Sequence, residues 1–369
     1  MNGNQAAPEQ AEVRNVRASE WMKRGIALLN ENTRASLLNS LRWFEGAIEL
    51  RRALPLRENP WYRYVLAAGW MNRGDALTRL GSAENLAEAV HSYDQALALL
   101  QTLELESNPL FRQRLALAWM NRGVTLEEQG RPESLRAALE SLDEAIAILR
   151  DPLALECAGN SPVLASALAN RGNALLRIEP PSAVAARESA EQALALTAGD
   201  EERDLLAAET GLKARHILCR AVAVQLADRA GRNTSEDLVA VATDAADDGM
   251  KLARHWETRG ESRFRDLARE LFRFGARAYQ MHQPHFLTEF LLENLDPIHS
   301  DAFPVDPRMH ATAGEAISDA VTEIQRDGFR SLNTPHFDRF LKTLRQFWVT
   351  QARLAELCRD NSFGAAQVS

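Results

Sequence analysis

The residues best placed to do chemistry in this chain are charged and evenly spaced. Arg24, Arg73, Arg122, Arg171 and Arg220 follow one another at intervals of 49 residues. A second row, Glu45, Asp94, Asp143, Glu191 and Asp247, supplies one acid for each. A guanidinium is a planar fork that can take a carboxylate or a phosphate with two hydrogen bonds. The row is therefore either a ladder of anion sites or a set of internal ion pairs, and the matching acids favour the pairs, within or between repeats. Exposed pairs would each contribute about 0–1 kcal/mol; if they are buried, losing one partner would cost roughly 3–5 kcal/mol.

Catalytic constellations are missing from the sequence. There is no Gly-rich phosphate loop, no Gly-x-Ser-x-Gly, no His-Glu-x-x-His and no paired-cysteine zinc set. His282, His285, His299, His310 and His336 gather towards the C-terminal end without metal-ligand spacing, and read as surface histidines. Asp244, Asp247 and Asp248 read as a solvated acidic face rather than a general acid–base pair. The expectation is a protein that is not an enzyme and that holds no cofactor and no metal.

Composition narrows the class further. Apolar residues make up 46% and charged residues 25%, as in ordinary folded proteins. A net charge of −8 argues against nucleic acid as the main partner, which needs a strong basic field. Cys157, Cys219 and Cys358 show no pairing pattern and fit a reducing compartment. The polar, acid-bearing start does not read as a signal or transit peptide, and no apolar run is long enough to span a membrane. A cytoplasmic protein is expected.

The period extends beyond the arginines. Trp70-Met71-Asn72-Arg73-Gly74 returns unchanged as Trp119-Met120-Asn121-Arg122-Gly123. One step earlier stands Trp21-Met22-Lys23-Arg24-Gly25, and one step later Leu168-Ala169-Asn170-Arg171-Gly172. Each unit reads as two helices. Helix A of the second unit starts at Asn59-Pro60, an N-cap followed by proline at the first helical position, and stops near Gly81. Helix B follows from Ser82, with Leu86, Ala89, Tyr93, Ala96 and Leu97 on one face. Small Gly74 and Ala89 would let the two helices approach, with Trp70 and Tyr93 filling the space beside them. The third unit repeats the plan from Asn108-Pro109 through Gly130 to Ala138, Leu142 and Ala145.

This pattern resembles the tetratricopeptide repeat, whose unit carries Trp, Leu, Gly and Tyr in helix A and Ala, an aromatic and Ala in helix B. The resemblance covers residues 15–298 as five to six helix pairs, with the unit enlarged to 49 residues. It implies an all-α, right-handed superhelix of helix hairpins, a solenoid lined by its A helices. Residues 1–14 read as a disordered N-terminus, 299–360 as C-terminal capping helices, and 361–369 as a disordered tail. The last strong helix of that cap is expected over about residues 334–359.

The same resemblance implies a binding groove on the concave wall. In the family, the asparagine equivalent to Asn72 often hydrogen-bonds the backbone of an extended peptide. Asn121 and Asn170 match that position as well, with Met71 and Met120 beside the first two. Glu127 and Glu128 would make the middle of the wall acidic, while Arg177, Arg215, Arg269 and Arg273 would make its far end basic. One family branch clamps a C-terminal carboxylate with Lys, Asn, Asn, Lys and Arg. Here Asn173, Arg269 and Arg273 match that set, but Ala169 and Cys219 depart from it, so the clamp is incomplete. The expected role is a non-catalytic scaffold for a protein or peptide segment, possessing an acid-accepting end, with no nucleic acid and no membrane as partner. A regulatory subunit acting through its C-terminal helices, a sensor of small molecules or signalling peptides, and a homo-oligomeric scaffold are the alternatives.

Overall fold

The fold follows from where the helices start and stop. The structure is a computed structural model that describes residues 6–106, 108–151, 160–228, 236–282, 284–295 and 307–326, with positions 342, 344, 345, 348 and 349. All regular structure among the described residues is α-helix. The chain is an all-α helical-repeat protein, divided into two compact units, Met1–Ser182 and Ala183–Ser369.

The first unit holds α1 (Ala6–Glu31), α2 (Arg34–Arg52), α3 (Pro60–Leu80), α4 (Ala83–Leu100), α5 (Pro109–Gln129), α6 (Pro132–Arg150) and α7 (Asn160–Arg177). Antiparallel pairs α1/α2, α3/α4 and α5/α6 pack side by side, with α2 on α3, α4 on α5 and α6 on α7. Helices α1, α3, α5 and α7 also touch in succession.

Caps set the boundaries. Asn59 Oδ1 accepts the amide of Trp61 at 2.9 Å, and Asn108 does the same for Leu110 at 3.0 Å, each ahead of a proline that needs no amide partner. Gly81 and Gly130 close α3 and α5 with φ of 71° and 68°, a left-handed turn that costs glycine little. Inside each hairpin a glycine faces a large side chain. A Cβ on Gly74 would lie 2.7 Å from the Tyr93 ring, and one on Gly123 would lie 2.8 Å from Leu142 Cγ. Gly25 meets Phe44 in the same way. Trp70, Leu77, Ala89, Tyr93, Ala96 and Leu97 form one continuous core.

The second unit holds α8 (Ala183–Thr197), α9 (Leu205–Asp228), α10 (Glu236–Glu257), α11 (Arg265–His282), α12 (Pro284–Leu295) and α13 (Pro307–Arg326). Here α8 packs on α9, α9 on α10, and α10 on α11, while α12 and α13 both pack on α11. Helix α13 buries Met309, Ala313, Ala316, Ile317 and Ala320. A helix thus packs on α11 within the stretch 299–360.

Two expectations about the ends change or stay open. Residues 1–14 read as disordered, yet α1 begins at Ala6 and buries Ala11 and Ala18. The run from Ala6 to Arg14 is built from helix-favouring Ala, Glu, Gln and Arg, with its proline in the first turn. The capping helix over 334–359 and the tail 361–369 lie outside the described residues, apart from the five positions named above.

Candidate functional site

Arg73, Arg122 and Arg171 of the arginine row are spent inside the protein. Arg73 on α3 reaches back to Glu45 on α2 at 3.3 Å, Arg122 on α5 to Asp94 on α4 at 2.8 Å, and Arg171 on α7 to Asp143 on α6 at 2.6 Å. Each takes the acid of the hairpin before it, 28 residues earlier. Arg73 and Arg122 also reach forward. Arg73 donates to Ser92 Oγ on α4, and Arg122 to Ser141 Oγ on α6, both at 2.7 Å. The stems lie against the tryptophans, with Arg73 over Trp70 and Arg122 over Trp119 at 5.9 and 5.7 Å. One side chain therefore ties three helices. In the first hairpin the serine position is Trp43, and Arg24 stacks on its ring at 5.1 Å instead.

In the second unit two acids of the row have contacts of another kind. Asp247 accepts the Tyr279 hydroxyl at 2.6 Å, and burial pushes its carboxyl above the usual range. Glu191 pairs with Arg187 one turn away on α8 at 3.0 Å.

The expected groove residues divide into three groups. Met71 is corrected outright: it is 6% exposed and packs in the core between the hairpins. It lies one position, and so about 100° of helix turn, from Asn72, which rotates it inward. Met120 remains partly exposed.

The second group is neutralised by internal acids. Asn173 and Arg177 on α7 both bind Glu127 on α5, Arg177 at 2.9 Å, and that carboxylate is buried. Glu127 is therefore a polar tie between helices rather than part of an open acidic wall, while its neighbour Glu128 is exposed. Partial desolvation and the neighbouring Glu127 charge raise the Glu128 carboxyl, against a lowering effect of Arg177. Arg215 grips Glu201 with two bonds, 2.8 and 2.9 Å, and both side chains are largely buried. Gly211 leaves room for that carboxylate, and Thr197 adds a third donor at 2.9 Å. Arg269 pairs with Asp266, and Arg273 with Glu270 at 2.6 Å. The basic end expected to accept an acidic segment is thus already compensated, because each cation has an acid within one helical turn or on a neighbouring element.

The third group stays open. Asn72 on α3, Asn121 on α5 and Asn170 on α7 are partly exposed. Among the described residues none of their carboxamides has a hydrogen-bond partner, though each sits at the same register of its helix. The helices that carry them touch: Thr78 and Thr125 share a hydrogen bond at 2.8 Å, and Arg114 donates to the Tyr64 hydroxyl at 2.8 Å.

Other polar ties escaped the sequence reading. Arg51 is buried and donates to the Val65 carbonyl at 2.7 Å and to Ser19 at 3.2 Å; burial lowers its guanidinium to about 10. Arg112 binds Asp151 at 2.6 Å. Neither lies on the recurring row, so periodicity could not mark them. Cys219 is buried, donates to the Ala242 carbonyl, and has its thiol pushed up to about 12 by burial, which leaves it unreactive. Cys157, Cys358 and the side chains of His282, His285, His299, His310 and His336 lie outside the described residues. No described helix is long and apolar enough to cross a membrane.

Comparison with known proteins finds likenesses among solved structures alone. No protein-family model matches the chain. No curated protein matches it either. Among 17 matching chains of solved structures is the crystal structure of a de novo designed helical repeat protein. It is 17% identical, with a TM-score of 0.22, over 73% of this chain and 97% of its own.

Proposed function

We propose that this chain is a non-catalytic scaffold that binds an extended protein or peptide segment, built from tetratricopeptide-like helix pairs enlarged to 49 residues. The observation that carries the reading is the row Asn72, Asn121 and Asn170, three partly exposed carboxamides with no hydrogen-bond partner among the described residues, at one register of three neighbouring helices. A carboxamide offers a donor and an acceptor together, the complement of a peptide unit. Helices in contact stand about 8–10 Å apart, and three residues of extended chain span about 10 Å. One guest backbone can therefore meet successive asparagines. Met120, flexible and partly exposed beside Asn121, suits varied guest side chains.

The charged residues support a non-catalytic role from the opposite direction. Arg73, Arg122 and Arg171 are paired with acids of the preceding hairpin, and Arg215 with Glu201 in the link before its own helix. Action in the cytoplasm belongs to the same proposal and rests on three cysteines without a pairing pattern.

The test is an affinity purification from the native host with the wild type and with Asn72→Ala/Asn121→Ala/Asn170→Ala. A co-purifying protein should fall about tenfold or more, as loss of several backbone hydrogen bonds requires, with the thermal midpoint unchanged. Full retention of that partner by the triple variant would sink the reading.

A further inference from the structure

Helix α1 exposes the stripe that its successors bury or partly bury. In α3 the stripe is Tyr62, Val65, Gly69, Arg73 and Ala76, and it faces the preceding hairpin. A Cβ on Gly69 would lie 3.1 Å from Ile48, Arg73 binds Glu45, and Ala76 is fully buried in the core of α1 and α2. In α5 the corresponding Phe111, Ala118 and Thr125 are buried, as are Asn160, Ala167 and Ala174 in α7. Forty-nine residues before the α3 stripe, α1 carries Val13, Val16, Glu20, Arg24 and Ala27, all exposed, the two valines at 64% and 50%. Among the described residues Arg24 has no carboxylate partner, unlike Arg73, Arg122 and Arg171.

We propose that a second copy of this chain covers the α1 stripe, the two α1 helices packing antiparallel about a two-fold axis. Charge selects this occupant over another hairpin of the same kind. Where α1 has Glu20, the stacking helices have Gly69, Ala118 and Ala167, small residues pressed against the helix behind them. A hairpin stacked in that way would bury Glu20 against a helix that itself presents an acid, a costly arrangement. The two-fold arrangement is self-complementary instead. Glu20 and Arg24 stand one turn apart at the centre of the stripe, so an antiparallel copy sets Arg24 against the partner's Glu20 and Glu20 against the partner's Arg24. Val16 then meets the partner's Ala27, large against small. An interface that presents one patch to itself in this way is the commonest kind in homo-oligomers.

Sedimentation of the full chain over a wide concentration range tests this, with circular dichroism confirming that each variant is folded. The wild type should form a dimer. Arg24→Glu and Glu20→Arg should each weaken it about tenfold or more, since both reciprocal pairs become like-charged. The double variant Glu20→Arg/Arg24→Glu should restore it, because exchanging both charges re-creates both pairs, and Val16→Asp should abolish it. A wild type monomeric throughout, single reversals without effect, or a double variant that fails to recover would each overturn the proposal. So would a monomer whose α1 variants lose a different co-purifying chain, which would assign the face to that partner.

Discussion

Arg122 and Asp94 are 28 residues apart in sequence and 2.8 Å apart in space, joined across two successive hairpins. Asp94 is half-exposed while Arg122 is mostly covered, so the ion pair itself is screened by water. More is lost with Arg122, because Ser141 and the face of Trp119 lose a partner too. Asp94→Ala should therefore destabilise by under about 1 kcal/mol, and Arg122→Ala by about 1–3 kcal/mol. Urea denaturation of the two variants checks the order. Equal losses would mean that the carboxylate alone holds Arg122.

Gly74 and Gly123 should tolerate no methyl group, despite lying inside helices. Alanine gains about 1 kcal/mol of helix propensity over glycine. Against that, the added Cβ would sit 2.7 Å from the Tyr93 ring or 2.8 Å from Leu142 Cγ, and overpacking typically costs about 1–3 kcal/mol. Gly123→Ala should lower the thermal midpoint, and Leu142→Ala added to it should cost less than Leu142→Ala alone. A raised midpoint for Gly123→Ala would show that the hairpin can open without penalty.

Arg215 is expected to matter for stability rather than for recognition. It and Glu201 are each about seven-eighths buried, at 14% and 13% exposure, and bonded twice. Removing one partner leaves a buried charge, so Arg215→Ala should cost roughly 3–5 kcal/mol. Hydrogen exchange should show the loss concentrated in α8 and α9. Wild-type stability in this variant would reopen Arg215 as a ligand contact.

The imidazole of His216 gives the second unit an acid sensitivity. Burial, with help from Arg220 and Arg273, lowers its pKa from 6.5 to about 4, and the ring lies 5.7 Å from that of Phe274. The unfolded chain therefore takes up a proton on this residue at a higher pH than the folded one does. The contribution is intact above the unfolded value and is lost as pH falls through the window between 6.5 and about 4. His216→Gln should flatten the stability profile across that window, as read from thermal midpoints in a pH series. A parallel profile for both proteins would exclude His216 as the source.

Much of the fold was legible because its signals are local. The asparagine–proline starts of α3 and α5 and their glycine stops act within a turn of the helix, and the structure keeps all of them. The glycine seam was legible for a related reason: periodicity exposes a position that stays small beside one that stays large. The groove fared less well. Asn72, Asn121 and Asn170 are partly exposed, and among the described residues their carboxamides have no hydrogen-bond partner. Met71, Asn173, Arg177 and Arg215 do not serve as open wall positions, because burial and internal acids decide their roles.

The amino-acid order by itself determined the helices, the small-against-large seam within each pair, and the presence of an acid for every arginine in the row. Those features need only spacing along one helix or between the two helices of a hairpin. The tertiary structure alone decided that each of Arg73, Arg122 and Arg171 reaches back to the previous hairpin, that Glu127 lies buried under Asn173 and Arg177, and that the α1 stripe is left uncovered. Those outcomes depend on how helices distant in sequence rotate against one another, and a turn of about 100° per residue is enough to carry a side chain from wall to core.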